Sequence, residues 1–279
     1  MLEIIKKEHY PCYALLVEDN MESIMDVATL ISFIFKYGAG VGINLSNLRP
    51  KGSLIKSTHG KAMGPVSVMQ CYSSISNMIT QAGKRPGAML GLLNINHKDI
   101  EEFITCKNIE GNLTNFNISV GINNEKDLKK TRLLELISNQ IHQNGEPGIL
   151  FFDNAQKDKF CDEEINAVNP CVEHVSLDKT SCCLGSLNLT KFYTKNGFDY
   201  ENFKKYISYS IRFLDNILTL NSYPDKRIEE KTLKYRQIGL GVMGLADLFI
   251  MNNFLYGDNN SYVLTEQIFS FMQKISYDE

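Results

Sequence analysis

The sequence predicts an α/β fold with a largely parallel sheet, followed by a helical segment. Two observations carry this reading. Through the first 150 residues, short apolar runs alternate with stretches of helical periodicity, the pattern of strand–helix–strand units. Through the last 80 residues the periodicity is helical, and no repeat, low-complexity tract or clear linker interrupts the chain.

The elements follow in order. Cys12 to Val17 is a short apolar run that stops at Glu18-Asp19-Asn20, which predicts a strand. Met21, Ile24, Met25, Val27, Ile31, Ile34 and Phe35 recur at helical spacing, and Gly38 ends that helix. Residues 40–46 alternate like a strand, and 47–64 form a loop rich in glycine and lysine. Pro65 opens a helix that runs to about Thr80, and a second polar, glycine-containing loop covers 81–88. Then come a strand over 88–95, a helix over 98–106, a strand over 116–122, a helix over 126–142 and a strand over 148–152. Helices are predicted near 200–220, 228–252 and 261–275.

Composition excludes several functions. The net charge is −3 and the pI is near 6.0, so no basic patch points to nucleic acid. No apolar run approaches the roughly 18 residues that a membrane span needs. The N-terminus has no signal-peptide core, so the expected compartment is cytoplasmic. Seven cysteines, an odd number, argue against a disulfide framework there. There is no Cys-x-x-Cys, and the spacing after Cys161 does not suit a metal, so no metal site is expected. Gly239-Leu-Gly241-Val-Met-Gly244 has dinucleotide-fingerprint spacing. That motif needs a hydrophobic strand before it, whereas Lys-Tyr-Arg-Gln-Ile precedes it here within a stretch predicted helical. Close packing of a helix is its expected use.

The most informative segment is Asn169-Pro170-Cys171-Val172-Glu173. Pro170 disfavours helix at the residue before it, so the segment reads as extended. Alternation would then turn Asn169, Cys171 and Glu173 to one side. A carboxylate beside Cys171 keeps the thiol protonated, which opposes a thiolate nucleophile. A neutral thiol beside a base suits hydrogen-atom chemistry: sulfur removes a hydrogen while the carboxylate takes a proton from a neighbouring hydroxyl. A second cysteine pair could supply two electrons by closing a disulfide.

Asn-Pro-Cys-Val-Glu, followed by Cys182-Cys-Leu-Gly-Ser-Leu-Asn-Leu189, resembles the catalytic finger loop of the ribonucleotide reductase large subunit. Further stretches agree in the same order: Cys12-Tyr-Ala-Leu-Leu-Val-Glu-Asp19, Gly40 to Ser53, Gly64-Pro-Val-Ser67, Arg85-Pro-Gly-Ala88 with His97 to Phe103, Glu146 to Phe151, and Ile211 to Asn216 leading to Ile238 to Asp247. The wording is most like the adenosylcobalamin-dependent class. The resemblance implies half of a ten-stranded α/β barrel over residues 1–168, the finger loop over 169–190 and a helical segment over 191–279.

The resemblance also implies roles. Cys171 would become a thiyl radical and take the 3′ hydrogen of a ribonucleotide, Glu173 would be the base at the 3′ hydroxyl, and Asn169 would orient the ribose hydroxyls. Cys12 and Cys182 would reduce C2′ and end as a disulfide, with a thioredoxin- or glutaredoxin-type protein restoring them. Cys183 is a vicinal neighbour that could confuse that pairing. Asp19, Arg49 and Lys56 would bind a dNTP or ATP effector, and Gln81 and Arg85 would relay its identity to the substrate. The radical source would be adenosylcobalamin or, failing that, a separate metal-containing subunit. Helices near 21–36 and 65–80 would form a homodimer contact.

The chain departs from the pattern in three ways. The family has further segments at both ends, so this chain alone is expected to be inactive and to need a C-terminal half, in its own chain or a separate one. The stretch from Ile122 to Gly145 is short and lacks the family's tryptophan. Val172 stands where glycine is usual, and Pro86 is expected to stiffen the second loop. The rival readings are a non-catalytic nucleotide-binding remnant, a regulatory piece of a split reductase, and a generic thiol enzyme.

Overall fold

The computed structural model describes residues 12–79, 87–129, 131–157, 159 and 161–279, which group into two compact units. The larger holds residues up to Cys182 together with 223–232. Its centre is five parallel strands in chain order: β1 (Cys12–Leu16), β2 (Gly40–Asn44), β3 (Met89–Asn94), β4 (Phe116–Ile122) and β5 (Gly148–Phe151). A doubly wound sheet reverses its order at a switch point. This one does not, and unreversed order is what a barrel half requires. The α/β half-barrel that the resemblance implied is therefore present.

The strands form because buried parallel strands tolerate continuous apolar runs. β2 is buried at every position, and β3 at all but its last residue. The crossovers are α1 (Met21–Lys36), α2 (Pro65–Met78), α3 (Ile100–Thr105) and α4 (Thr131–Asn144). α1 starts where Asn20 Oδ1 accepts the Ser23 amide at 2.7 Å, an N-cap that satisfies one orphan donor. Its Val27, Leu30, Ile31, Ile34 and Phe35 are buried. The loop between β2 and α2 has its own order, with a bridge between Leu54 and Lys61.

The predicted 126–142 helix is shorter than expected, because residues 125–129 form a 3-10 turn before α4. A short helix, α5 (Phe152–Lys157), follows β5 directly. The region from 169 to 190 is more than a loop: β6 (Ala167–Val168) and β7 (Val175–Ser176) form a small hairpin, and β8 (Thr180–Asn188) is a nine-residue strand. Thr180, Ser181 and Cys182 of β8 pair antiparallel with β1.

The second unit comprises residues 183–222 and 233–279. Here the later part of β8 pairs in parallel with β11 (Ile238–Met243). A β9–β10 hairpin (Tyr193–Thr194 and Gly197–Phe198) precedes α6 (Tyr200–Leu220). α7 (Lys226–Tyr235), whose residues up to Thr232 belong to the larger unit, comes before β11, and α8 (Leu245–Met251) and α9 (Asn259–Asp278) follow it. Leu189, Phe192, Phe203, Ile207, Leu248, Ile268 and Met272 form the core of this unit.

The single helix predicted over 228–252 is thus wrong. β11 interrupts it, and the glycines of Gly239-Leu-Gly241-Val-Met-Gly244 lie on and just after that strand. Glycine costs a helix about 1 kcal/mol per residue, which favours the extended alternative here. Gly244 has φ +75° and begins α8, and a Cβ there would come within 2.7 Å of Asn188 Oδ1. The motif is not a phosphate-binding turn, because its first glycines are strand residues.

Candidate active site

Asn169 to His174 is the turn that joins β6 to β7, not an extended run. The Val172 amide donates to Asn169 O at 3.2 Å, which closes a four-residue turn with Pro170 in its second position. Asparagine at the first position and proline at the second both favour such turns. The Asn169 amide donates to His174 O at 3.2 Å, and the His174 amide donates to Asn169 Oδ1 at 3.1 Å. Strand alternation therefore does not place the three candidate side chains on one face. Asn169 is fully buried, whereas Cys171 and Glu173 are exposed.

The hairpin lies against β2, and Gly42 makes this possible. A Cβ at Gly42 would sit 2.1 Å from Val168 O and 2.7 Å from Asn169 O. Sequence reasoning missed Gly42 as a site residue, although an isolated glycine in a strand often marks close backbone approach. Asn44, two residues on, donates from Nδ2 to Asn166 O at 2.7 Å and ties the hairpin base to the end of β2.

Beneath the turn is the cysteine pair. Cys12 and Cys182 are register partners across β1 and β8. The Cys182 thiol donates to Cys12 O at 3.7 Å, and Asn169 Nδ2 donates to Cys182 Sγ at 3.9 Å. Hydrogen bonding with Cys12 and burial both push the Cys182 thiol far above its ordinary range, and the Glu173 charge adds to this. Cys182 is thus a protonated thiol within electrostatic reach of Glu173.

Cys183 does not compete with this arrangement. Successive side chains alternate along a strand, so Cys183 points away from the side that carries Cys182. Its thiol is buried, donates to Leu214 O at 3.7 Å, and is pushed up to about 11 by burial. Strand geometry thus sets the vicinal Cys183 apart from Cys12 and Cys182.

His174 follows Glu173 at the end of the turn and is half-buried. Its Nε2 is buried with no hydrogen-bond partner among the described residues. Burial lowers its pKa, against the opposing pull of Glu173, so the ring is neutral.

The residues expected to bind an effector are only partly assembled. Arg49 Nε lies 2.8 Å from Asp19 Oδ2 and 2.9 Å from Oδ1, and the Arg49 amide donates to Asp19 Oδ1 at 3.0 Å. Burial alone would raise the Asp19 pKa, but the Arg49 hydrogen bonds outweigh it and hold the carboxyl below its ordinary value. Lys56 is exposed on the β2–α2 loop. Gln81, Arg85 and Pro86 lie outside the described residues. Among the described residues no helix is long and apolar enough to cross a membrane.

The parallel half-barrel thus carries a hairpin with one exposed thiol, Cys171, over the cross-strand thiols Cys12 and Cys182. The chain belongs to the ribonucleotide reductase barrel-domain family, whose pattern it matches over residues 11–125 and 121–279. It is 34% identical to a vitamin B12-dependent ribonucleoside-diphosphate reductase of Thermoplasma acidophilum, over 95% of this chain and 38% of that protein. It is 30% identical to a protein of the same description from Mycobacterium tuberculosis, over 95% of this chain and 42% of that protein. The chain thus spans about two-fifths of the length of these relatives. Its fold superposes on the Actinobacillus ureae class Id ribonucleotide reductase alpha subunit with a TM-score of 0.82, covering 97% of this chain and 54% of that one at 23% identity.

Proposed function

We propose that this chain supplies the thiol machinery of a ribonucleotide reductase, acting with the remainder of the barrel. The observation that carries the reading is the register pairing of Cys12 with Cys182, beneath a hairpin that presents Cys171 outward. In this reading the Cys171 thiyl radical takes the 3′ hydrogen of the ribonucleotide while Glu173 accepts the 3′ hydroxyl proton. The 2′ hydroxyl leaves as water. Cys12 and Cys182 provide two electrons and two hydrogens and become a disulfide, and Cys171 returns its hydrogen to C3′. Asn169 acts from below, fixing the turn and the Cys182 sulfur.

The relatives named as vitamin B12-dependent make adenosylcobalamin the radical source to test. It would supply one-electron oxidation of a thiol. Cys171 fits that requirement because it is exposed, whereas Cys182 is buried. The same names make a ribonucleoside diphosphate the substrate to test. A thioredoxin- or glutaredoxin-type dithiol would reopen the disulfide. A reducing, cytoplasmic setting suits seven cysteines that are all thiols. Asp19, Arg49 and Lys56, with Gln81 and Arg85, would receive a nucleotide effector. Exposed Met21, Met25 and Phe33 on α1 and Met78 on α2 support a homodimer contact.

The test is deoxynucleotide formation by the reductase that contains this chain, supplied with a ribonucleoside diphosphate, adenosylcobalamin and a dithiol. Product should accompany loss of the Cys12 and Cys182 thiols, and Cys171→Ser should abolish it. Reduction that survives Cys171→Ser overturns the reading.

A further inference from the structure

Val172 occupies a backbone conformation that its side chain opposes. Its φ is +66°, in the left-handed region, where a β-branched residue is a clear outlier. Such strain persists only where the surroundings over-determine it. The surroundings are visible. Its amide is held by Asn169 O, and its half-buried side chain packs on the apolar cluster of Leu90 and Leu92 on β3 and Val168 on β6. Leu150, Phe152 and Val175 complete that cluster. Glycine would adopt the same φ without strain but would bring no anchor.

We propose that Val172 is the positioning residue of this hairpin. Its side chain is the pin that holds the turn tip on the sheet, and the residues on either side, Cys171 and Glu173, are thereby presented outward. A valine at this position exchanges the ease of glycine for a fixed tip. The proposal rests on Cys171 being the thiol offered for chemistry. It does not depend on what the thiol reacts with.

The test is iodoacetamide labelling of Cys171 in the full chain at one pH, read by peptide mass spectrometry against the exposed Cys71 as internal reference. Val172→Gly should raise the ratio of Cys171 to Cys71 labelling by about two- to fivefold, the scale of the backbone freedom that glycine adds. Val172→Ala, which keeps the Cβ but shortens the anchor, should raise it less. Val172→Ile, which keeps the anchor, should match the wild type. Amide exchange of residues 171–174 should rise in parallel with labelling, with the exchange of β1–β4 unchanged. If Val172→Gly does not fold, Val172→Ala decides the matter. An unchanged ratio in the shortened variants, or an isoleucine variant that labels like alanine, overturns the proposal. Nucleotide reduction does not enter the readout, so a failed reductase assay with a positive labelling series would reject the reaction and keep the positioning role.

Discussion

Cys12 and Cys182 stand directly opposite each other on antiparallel strands, 170 positions apart in sequence. Directly opposed residues on antiparallel strands have Cα atoms about 4.5–5.5 Å apart, inside the range that a disulfide spans. Mild oxidation should therefore join Cys12 to Cys182 without strand movement, and peptide mapping should recover that linked pair. Cys182→Ser should eliminate it, and Cys183→Ser should leave it intact. Because the bond closes a long loop, it should add about 2–4 kcal/mol of stability. Recovery of a Cys12–Cys183 link would contradict the register.

Cys183 should make the fold sensitive to alkali. Its folded pKa is raised to about 11 from an ordinary value of 9.0. A thiol with a raised pKa contributes stability that is fully present below pH 9.0 and is lost as pH climbs toward 11. The loss for this group should be on the order of 1–2 kcal/mol. Denaturant melts at pH 8 and pH 10.5 read the effect, and Cys183→Ala should shrink the difference between the two. An unchanged difference would mean that other groups, such as the half-buried Cys106 and the buried Tyr72, whose pKa values are also raised by burial, carry the whole alkaline loss.

Gly42→Ala should be among the most damaging single-methyl changes in the chain. The added Cβ would overlap the backbone carbonyl of Val168 at 2.1 Å, and a carbonyl cannot rotate aside as a flexible side chain can. Either β2 or the hairpin must shift, at a cost of roughly 3 kcal/mol. The substitution should lower the melting temperature and slow formation of the Cys12–Cys182 disulfide, since Asn169 would no longer sit on Cys182. Gly52→Ala is a useful contrast: it lies on the β2–α2 loop, where an added methyl would meet nothing within 4 Å, and its φ of +81° alone should cost about 1 kcal/mol.

The half-barrel was legible because strands buried on both faces are apolar runs and their crossover helices carry clean periodicity. β1, β2 and β3 with α1 show this most clearly. β8 was not legible, because its Cys182-Cys-Leu-Gly-Ser-Leu-Asn sequence mixes small and polar residues whose burial depends on partners distant in sequence. β11 was misread because Ile238, Val242, Leu245 and Leu248 fall at spacings that a helix also satisfies. At the site, the residue types pointed to redox chemistry, but the extended reading of Asn169 to Glu173 weighed only what proline does to the residue before it. The same Asn-Pro step is also a turn signal, and the turn prevailed. The pairing of Cys12 with Cys182 could come only from the family resemblance, since no local pattern reports a contact between such distant residues.

The Asp19–Arg49 pair should behave as a screened surface interaction with unusual geometric demands. Their side chains are 36% and 35% exposed, so solvent and salt weaken the attraction. The coupling measured in a double-mutant cycle with Asp19→Asn and Arg49→Ala should be about 1 kcal/mol or less, and should fall in high salt. Asp19 titrates below its ordinary 3.8, so its contribution is present above that pH and is lost as pH falls through the lower folded value. Arg49→Lys should lose most of the coupling despite keeping the charge. The guanidinium Nε meets both carboxylate oxygens while Nη2 reaches the Asp19 carbonyl at 3.2 Å, and a single ammonium cannot reproduce that fork. A lysine variant with full coupling would show that charge alone, without the fork, holds this corner of the loop.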